Sequence, residues 1–157
     1  MLPVPLRSLP MLLGALLMGM LSFTLVAVYV TITRTGTAAS PDYTLLMMLA
    51  ALGPAELFVY HVLFRPVVAK QARQTAAGAP AGDARDLALA QQFMVNSILA
   101  AALLEGWGLL GAVILFLNAQ WPGIVAPIIA AIGIALLLDV RGRFERFKEE
   151  ATGRRNA

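Results

Sequence analysis

An all-α membrane protein is the fold this sequence predicts: a bundle of four transmembrane helices, with both termini in the cytoplasm and a cytoplasmic amphipathic helical tail. Three observations predict it. Hydrophobic residues make up 59% of the 157-residue chain and charged residues 13%, against about 45–50% and about 25% in soluble domains. Four apolar runs reach the roughly 17–25 residues that a helix needs to cross a hydrocarbon core about 30 Å thick. The basic residues lie almost entirely on one side of those runs. A chain of 16.7 kDa with a mean hydropathy of +0.77 carries too few charges to cover a water-soluble domain of its size.

The elements follow in order within a single membrane domain, 1–157. The first span covers about 9–32, with Arg7 ahead of it. Its apolar run is longer than the about 7–15 residues of a signal-peptide core, so no cleavage is expected at Thr37, Ala38 and Ala39. The second span covers about 43–64, and Pro54 should kink it. Residues 65–92 read as a cytoplasmic loop. Its Ala/Gly/Pro stretch over 76–82 is a flexible hinge, after which Asp83 can cap a helix leading through Leu87 and Leu89. The third span covers about 93–117. The fourth, about 122–138, opens at Trp121-Pro122-Gly123 and closes at Asp139; Pro in a first turn gives up no internal hydrogen bond, and Trp suits the interface. Pro127 is a further kink site. The tail, 139–157, should continue span four as a helix. Val140, Phe144 and Phe147 share one of its faces, and Arg141–Glu145 and Arg146–Glu150 are spaced as ion pairs, each contributing about 0.2–0.5 kcal/mol.

Charge sets the orientation. Arg7, Arg65, Lys70, Arg73, Arg85, Arg141, Arg143, Arg146, Lys148, Arg154 and Arg155 flank the spans on one side, and Arg34 stands alone on the other. This bias places both termini and the 65–92 segment in the cytoplasm, in the bacterial inner membrane. The net charge of +3 belongs to residues beside apolar spans, so anionic lipid headgroups, rather than nucleic acid, are the expected partner. Arg141, Arg143, Arg146 and Lys148 in the tail are the lipid-surface candidates. With no cysteine and one histidine, the chain has no means for disulfides, thiolate chemistry or a multi-His metal site. No nucleotide-binding or hydrolase motif occurs, so neither a metal, a cofactor nor an enzyme activity is expected.

Two carboxylates interrupt the apolar spans. Glu105 is at the centre of the third, and Glu56 is about 4 Å past the midpoint of the second, at 1.5 Å per residue. An acidic side chain at the bilayer centre costs upward of roughly 2.5 kcal/mol, so it needs a partner, a wet cavity or a proton. Both residues are candidates for binding H⁺ or a monovalent cation. Tyr60 and His61 follow Glu56 toward the cytoplasm and are candidates for a proton path. Around Glu105, helical spacing gathers Ala101, Ala102, Gly108 and Ala112, a small-residue face that lets another helix approach. Gly14 and Gly19 read as packing positions in span one, and Trp107 is expected to face elsewhere.

The segment from Ile98 to Phe116, ILAAALLEGWGLLGAVILF, resembles the carboxylate-bearing helix of the rotary ATP synthase and ATPase proteolipids. There a mid-membrane Glu or Asp precedes a Gly-Leu-rich stretch. The resemblance covers this one span and implies that Glu105 carries H⁺ or Na⁺. The chain is otherwise similar to small four-span bacterial membrane proteins. The function expected from these readings is ion binding or translocation through buried carboxylates in a homo-oligomer. The alternative is a non-catalytic accessory or assembly subunit, docked on another membrane subunit.

Single cysteines placed at Ala79, Gly36 and Gly153 should divide by side. Positions 79 and 153 are expected to react with an impermeant maleimide only from the cytoplasmic face, and 36 only from outside. The opposite pattern refutes the orientation.

Overall fold

A computed structural model describes residues 3–34, 43–80 and 82–153. Thr37, Ala38 and Ala39, where no cleavage is expected, and the tail residues Arg154 and Arg155 lie outside these residues. The described chain is helical, with no strand. It comprises α1 (Val4–Arg7), α2 (Leu9–Thr33), α3 (Tyr43–Val59), a π turn (Tyr60–Phe64), α4 (Arg65–Gly78), α5 (Asp83–Asn118), a 3₁₀ turn (Trp121–Ile124), α6 (Val125–Leu137) and α7 (Val140–Thr152). Three continuous helical stretches are long and apolar enough to cross a membrane: Val4–Thr33, Tyr43–Gly78 and Asp83–Asn118. The pair Trp121–Leu137 and Val140–Thr152, bent by 70°, makes a fourth if taken as one broken span.

α5 is the mast of the bundle. Its 36 residues extend about 54 Å at 1.5 Å per residue, well beyond a hydrocarbon core of about 30 Å. α2 and α6 pack along it, and small residues set how closely. A Cβ on Gly108 would meet the Met20 sulfur and stand 2.9 Å from the Ala130 Cβ. At Gly111 it would run into the carbonyl oxygen of Gly123, and at Gly123 it would lie 2.7 Å from the carbonyl oxygen of Gly111. The backbones of α5 and of the turn leading into α6 therefore touch where both residues lack a side chain. Met20, Ala130 and Ile134 form the buried core of this region, with Leu17, Leu104 and Leu109 against it. At the far end Thr31 Oγ1 donates to the Leu115 carbonyl (3.0 Å) and Arg34 Nη1 to that of Leu117 (2.8 Å), which satisfies carbonyls at the end of α5. Ala101, Gly108 and Ala112 are all buried in these seams. Gly14 and Gly19 are not; an added Cβ there meets no atom within 4 Å.

α3 is peripheral. It touches the bundle through Leu49, which shares a small core with Ile114 and Ala126, and through the Trp107 Nε1 hydrogen bond to the Leu49 carbonyl (2.9 Å). Trp107 thus faces α3. Pro54 lies inside α3 without ending it, and the irregularity comes later, at the π turn.

The 65–92 segment is also corrected. It is helix up to Gly78, and α5 begins at Asp83 with Gly82, φ +105°, as the residue before it; no side chain caps it. The hinge shrinks to the few residues between α4 and α5. There Arg85 closes the turn by donating to the Ala79 carbonyl (3.0 Å). The Ala and Gln residues of 65–78 are good helix formers and carry α4, while the breakers Gly78, Pro80 and Gly82 fall at or after its end.

The tail departs from a straight continuation of span four. Asp139 breaks the helix and caps the next one, its Oδ1 accepting from the Gly142 N–H (3.1 Å). Val140 and Phe144 are buried, and the rings of Phe144 and Phe147 each lie 5.6 Å from that of Phe93. Leu6, Ala72, Ala76, Leu89 and Ala151 complete this core at the basic end. The expected pairs Arg141–Glu145 and Arg146–Glu150 do not form. Lys148 instead binds Asp86 on α5, and Arg146 approaches Asp139 at 4.0 Å. Once α7 turns against α5, those partners are nearer than the next turn of its own helix.

The touching backbones predict a sharp asymmetry among glycines. Gly111→Ala should destabilise the protein by about 1–3 kcal/mol, the cost of overpacking a close contact, whereas Gly14→Ala should be neutral or slightly stabilising. Thermal unfolding in detergent, followed by circular dichroism, would show equal effects if the α5–α6 approach were wrong.

Candidate functional site

The site is built on the π turn. Within it the Arg65 N–H reaches the Tyr60 carbonyl, five residues back. Pro66 follows, with no N–H to donate and a ring that crowds the carbonyl four residues before it. A widened turn relieves that crowding, and such turns recur at functional positions in helices. Here the wide turn carries Tyr60 and His61. Tyr60 donates its hydroxyl to Asn96 Oδ1 on α5 (3.2 Å), and the His61 ring meets it edge-on at 5.5 Å. His61 Nδ1 lies 3.0 Å from the Leu57 carbonyl. A carbonyl only accepts, so Nδ1 carries the hydrogen and Nε2 is the acceptor of the neutral ring.

Two cavities meet at this turn and share Tyr60, His61, Leu137 and Arg143. The outer cavity, about 690 Å³, lies between α4, α7 and the first half of α5. Its charged walls are Arg65, Arg73, Arg143 and Arg146 against Asp139 and Glu150. The inner slot, about 200 Å³, runs between α3 and α5. Gly53, Leu57, Leu103, Leu104 and Trp107 wall it, and Glu56 is its one carboxyl. Gly53 makes room for the slot's aromatic wall: a Cβ there would stand 2.6 Å from the Trp107 Nε1.

Arg143 joins the two spaces. Its guanidinium lies over the Phe93 ring, 5.4 Å from Cζ to the centroid, and Nη1 donates to the Leu137 carbonyl (3.2 Å). Burial lowers its pKa, nearby Tyr60 opposes that, and Arg146 and Asp139 act in opposite senses. It nonetheless stays charged at neutral pH. Arg65 and Arg73 are exposed and make no hydrogen bond or ion pair among the described residues.

The residues singled out in the sequence therefore separate into groups. Glu56, Tyr60 and His61 come together in the cavities. Glu105 does not join them: it is half-buried, lines neither cavity, and makes no hydrogen bond or ion pair among the described residues. Its helical neighbours Ala101 and Gly108 turn into the bundle, but Ala102 and Gly106 on its other flank are exposed. The small-residue face is thus divided, and Glu105 stands at its edge. The four basic tail residues also divide. Arg141 remains outward, Lys148 is taken by Asp86, and Arg143 and Arg146 line the outer cavity. Asn96 bonds to Tyr60, while the neighbouring Ser97 hydroxyl is buried with no partner. Among the described residues no three His, Asp or Glu side chains gather as a metal site.

Arg65 stands at the end of the Glu56, Tyr60 and His61 series in the sequence, but sequence reading missed Arg73 as a member of a site with it. Their spacing, eight residues apart across Pro66, aligns them on one face only if 65–73 is helical. Comparison with protein-family models, with curated proteins and with solved structures finds no match.

The slot wall gives a direct test. Gly53→Ala should displace the Trp107 indole, break its bond to Leu49 and shift its emission. In a Trp121→Phe background, where Trp107 is the sole reporter, an unchanged spectrum would show that the α3–α5 seam is elsewhere.

Proposed function

We propose that this is a small polytopic inner-membrane protein that holds and exchanges a proton at Glu56, with its basic end and both termini facing the cytoplasm. One observation carries the reading: Glu56, Tyr60 and His61 line two adjoining cavities, the inner one between α3 and α5 and the outer one at the basic end. The imidazole is the group suited to pass a proton near neutral pH. His61 Nε2 is its accepting atom, and Glu56 is the carboxyl at the inner end. Glu56 is the one carboxyl among largely apolar slot walls, too few charged oxygens to replace the hydration shell of Na⁺ or K⁺, which favours H⁺ as the occupant. Glu56 takes over the role first expected of Glu105, because Glu105 has no cavity beside it.

A second reading concerns Glu105 itself. A half-buried carboxyl at the middle of a long apolar helix, beside exposed Ala102 and Gly106, suits docking against another membrane helix through a hydrogen bond. This supports assembly as a homo-oligomer or with a second subunit, and it is compatible with proton exchange at Glu56.

The proton reading is tested with Trp107, which shares the slot. In the Trp121→Phe protein, its emission should change with pH and stay constant when NaCl replaces choline chloride. Glu56→Gln should abolish the pH response, and Glu105→Gln should leave it. A response that follows Na⁺, or that persists without Glu56, overturns the proposal.

A further inference from the structure

The outer cavity holds more positive charge than the proton reading uses. Four guanidiniums face it against two carboxylates, and one of those carboxylates, Asp139, already serves the α7 cap and Arg146. Arg65 and Arg73 have all their side-chain donors free among the described residues. Guanidinium forks match phosphate oxygens in pairs. The cavity is therefore complementary to an anion with several oxygens. Its depth adds a second requirement. At Tyr60 and Arg143 it adjoins a slot walled by Leu57, Leu103, Leu104 and Trp107, where a free, fully hydrated phosphate gains nothing.

From this pairing of a basic cavity with an apolar slot, we infer that the protein has a built site for an anionic phospholipid, its phosphate among Arg65, Arg73 and Arg143 and the start of an acyl chain against Trp107. This goes beyond attraction of the tail to a charged bilayer surface. It selects a headgroup by guanidinium geometry, and it uses α4 residues that have no other partner. It does not rest on proton exchange at Glu56: Arg65 and Arg73 lie on α4 and line the outer cavity, not the slot.

The probe is a pair of brominated lipids, because bromine on an acyl chain quenches a nearby indole. The Trp121→Phe protein is reconstituted in phosphatidylcholine bilayers containing brominated phosphatidylglycerol or, separately, brominated phosphatidylcholine at equal mole fraction. Trp107 should be quenched more by the anionic lipid, with a relative affinity roughly 25-fold higher, since each of the two α4 arginines contributes a factor of roughly five. The Arg65→Ala/Arg73→Ala protein should lose that preference while keeping its helical content, both side chains being exposed. Equal quenching by the two lipids, or a preference that survives the double substitution, overturns the site. Inorganic phosphate added at constant ionic strength separates the two sources of the anion. No effect on the preference supports a lipid, and its loss at millimolar phosphate means that the cavity takes a free anion.

Discussion

The contact between the backbone at Gly111 and the backbone at Gly123 is what the rest of the bundle depends on. Lipid offers no hydrophobic drive for two apolar helices to associate, so packing must come from close approach of surfaces. Glycine on both sides lets α6 lie directly on α5, and that places Ala130 and Ile134 within reach of Met20 on α2. The three-helix core α2–α5–α6 follows from this approach. α3 is left outside, held to the core by Leu49 and Trp107, with space beneath it. The slot exists because three helices close on one another and the remaining one cannot.

The basic end follows a different logic. Beyond the apolar part of α5, stability comes from aromatic and ionic contacts around Phe93: two rings of α7, the Arg143 guanidinium above it, and the Lys148–Asp86 pair at one side. Asp139 turns the chain into this arrangement by ending α6 and capping α7. Because α7 folds back, Arg143 and Arg146 line a cavity while Arg141 faces outward. Cap and cavity are consequences of one residue that breaks one helix and starts another.

Much of the architecture was legible in the sequence. Apolar length and the placement of Arg and Lys gave the helices near their observed bounds, from Leu9, Tyr43 and Pro122 to Asp139. The amphipathic face of Val140, Phe144 and Phe147 was legible too, since helical spacing shows on any polar background. The site was less so. Pro66 marks an irregular turn, but not that the turn widens and carries Tyr60 and His61 to the seam. Trp107 and Glu105 are two residues apart, and only the direction of approach of α3 decides which of them lines a cavity. That direction depends on Gly53 and Leu49, whose small and large side chains have the same hydropathic reading as any others in span two. Ala101, Gly108 and Ala112 pack as small residues can, while Gly14 and Gly19 have equal freedom and no neighbour to use it.

The continuity of α3, the π turn and α4 has a mechanical meaning. From Tyr43 to Gly78 the chain is one hydrogen-bonded rod, tied to the core by Leu49 near one end and to α5 by the Gln92–Thr75 bond (2.9 Å) near the other. A rod held at two distant points behaves as a strut. Its inner half cannot tilt away from Trp107 without carrying Arg65 and Arg73 along, so the spacing of the two cavities is set by a single rigid body.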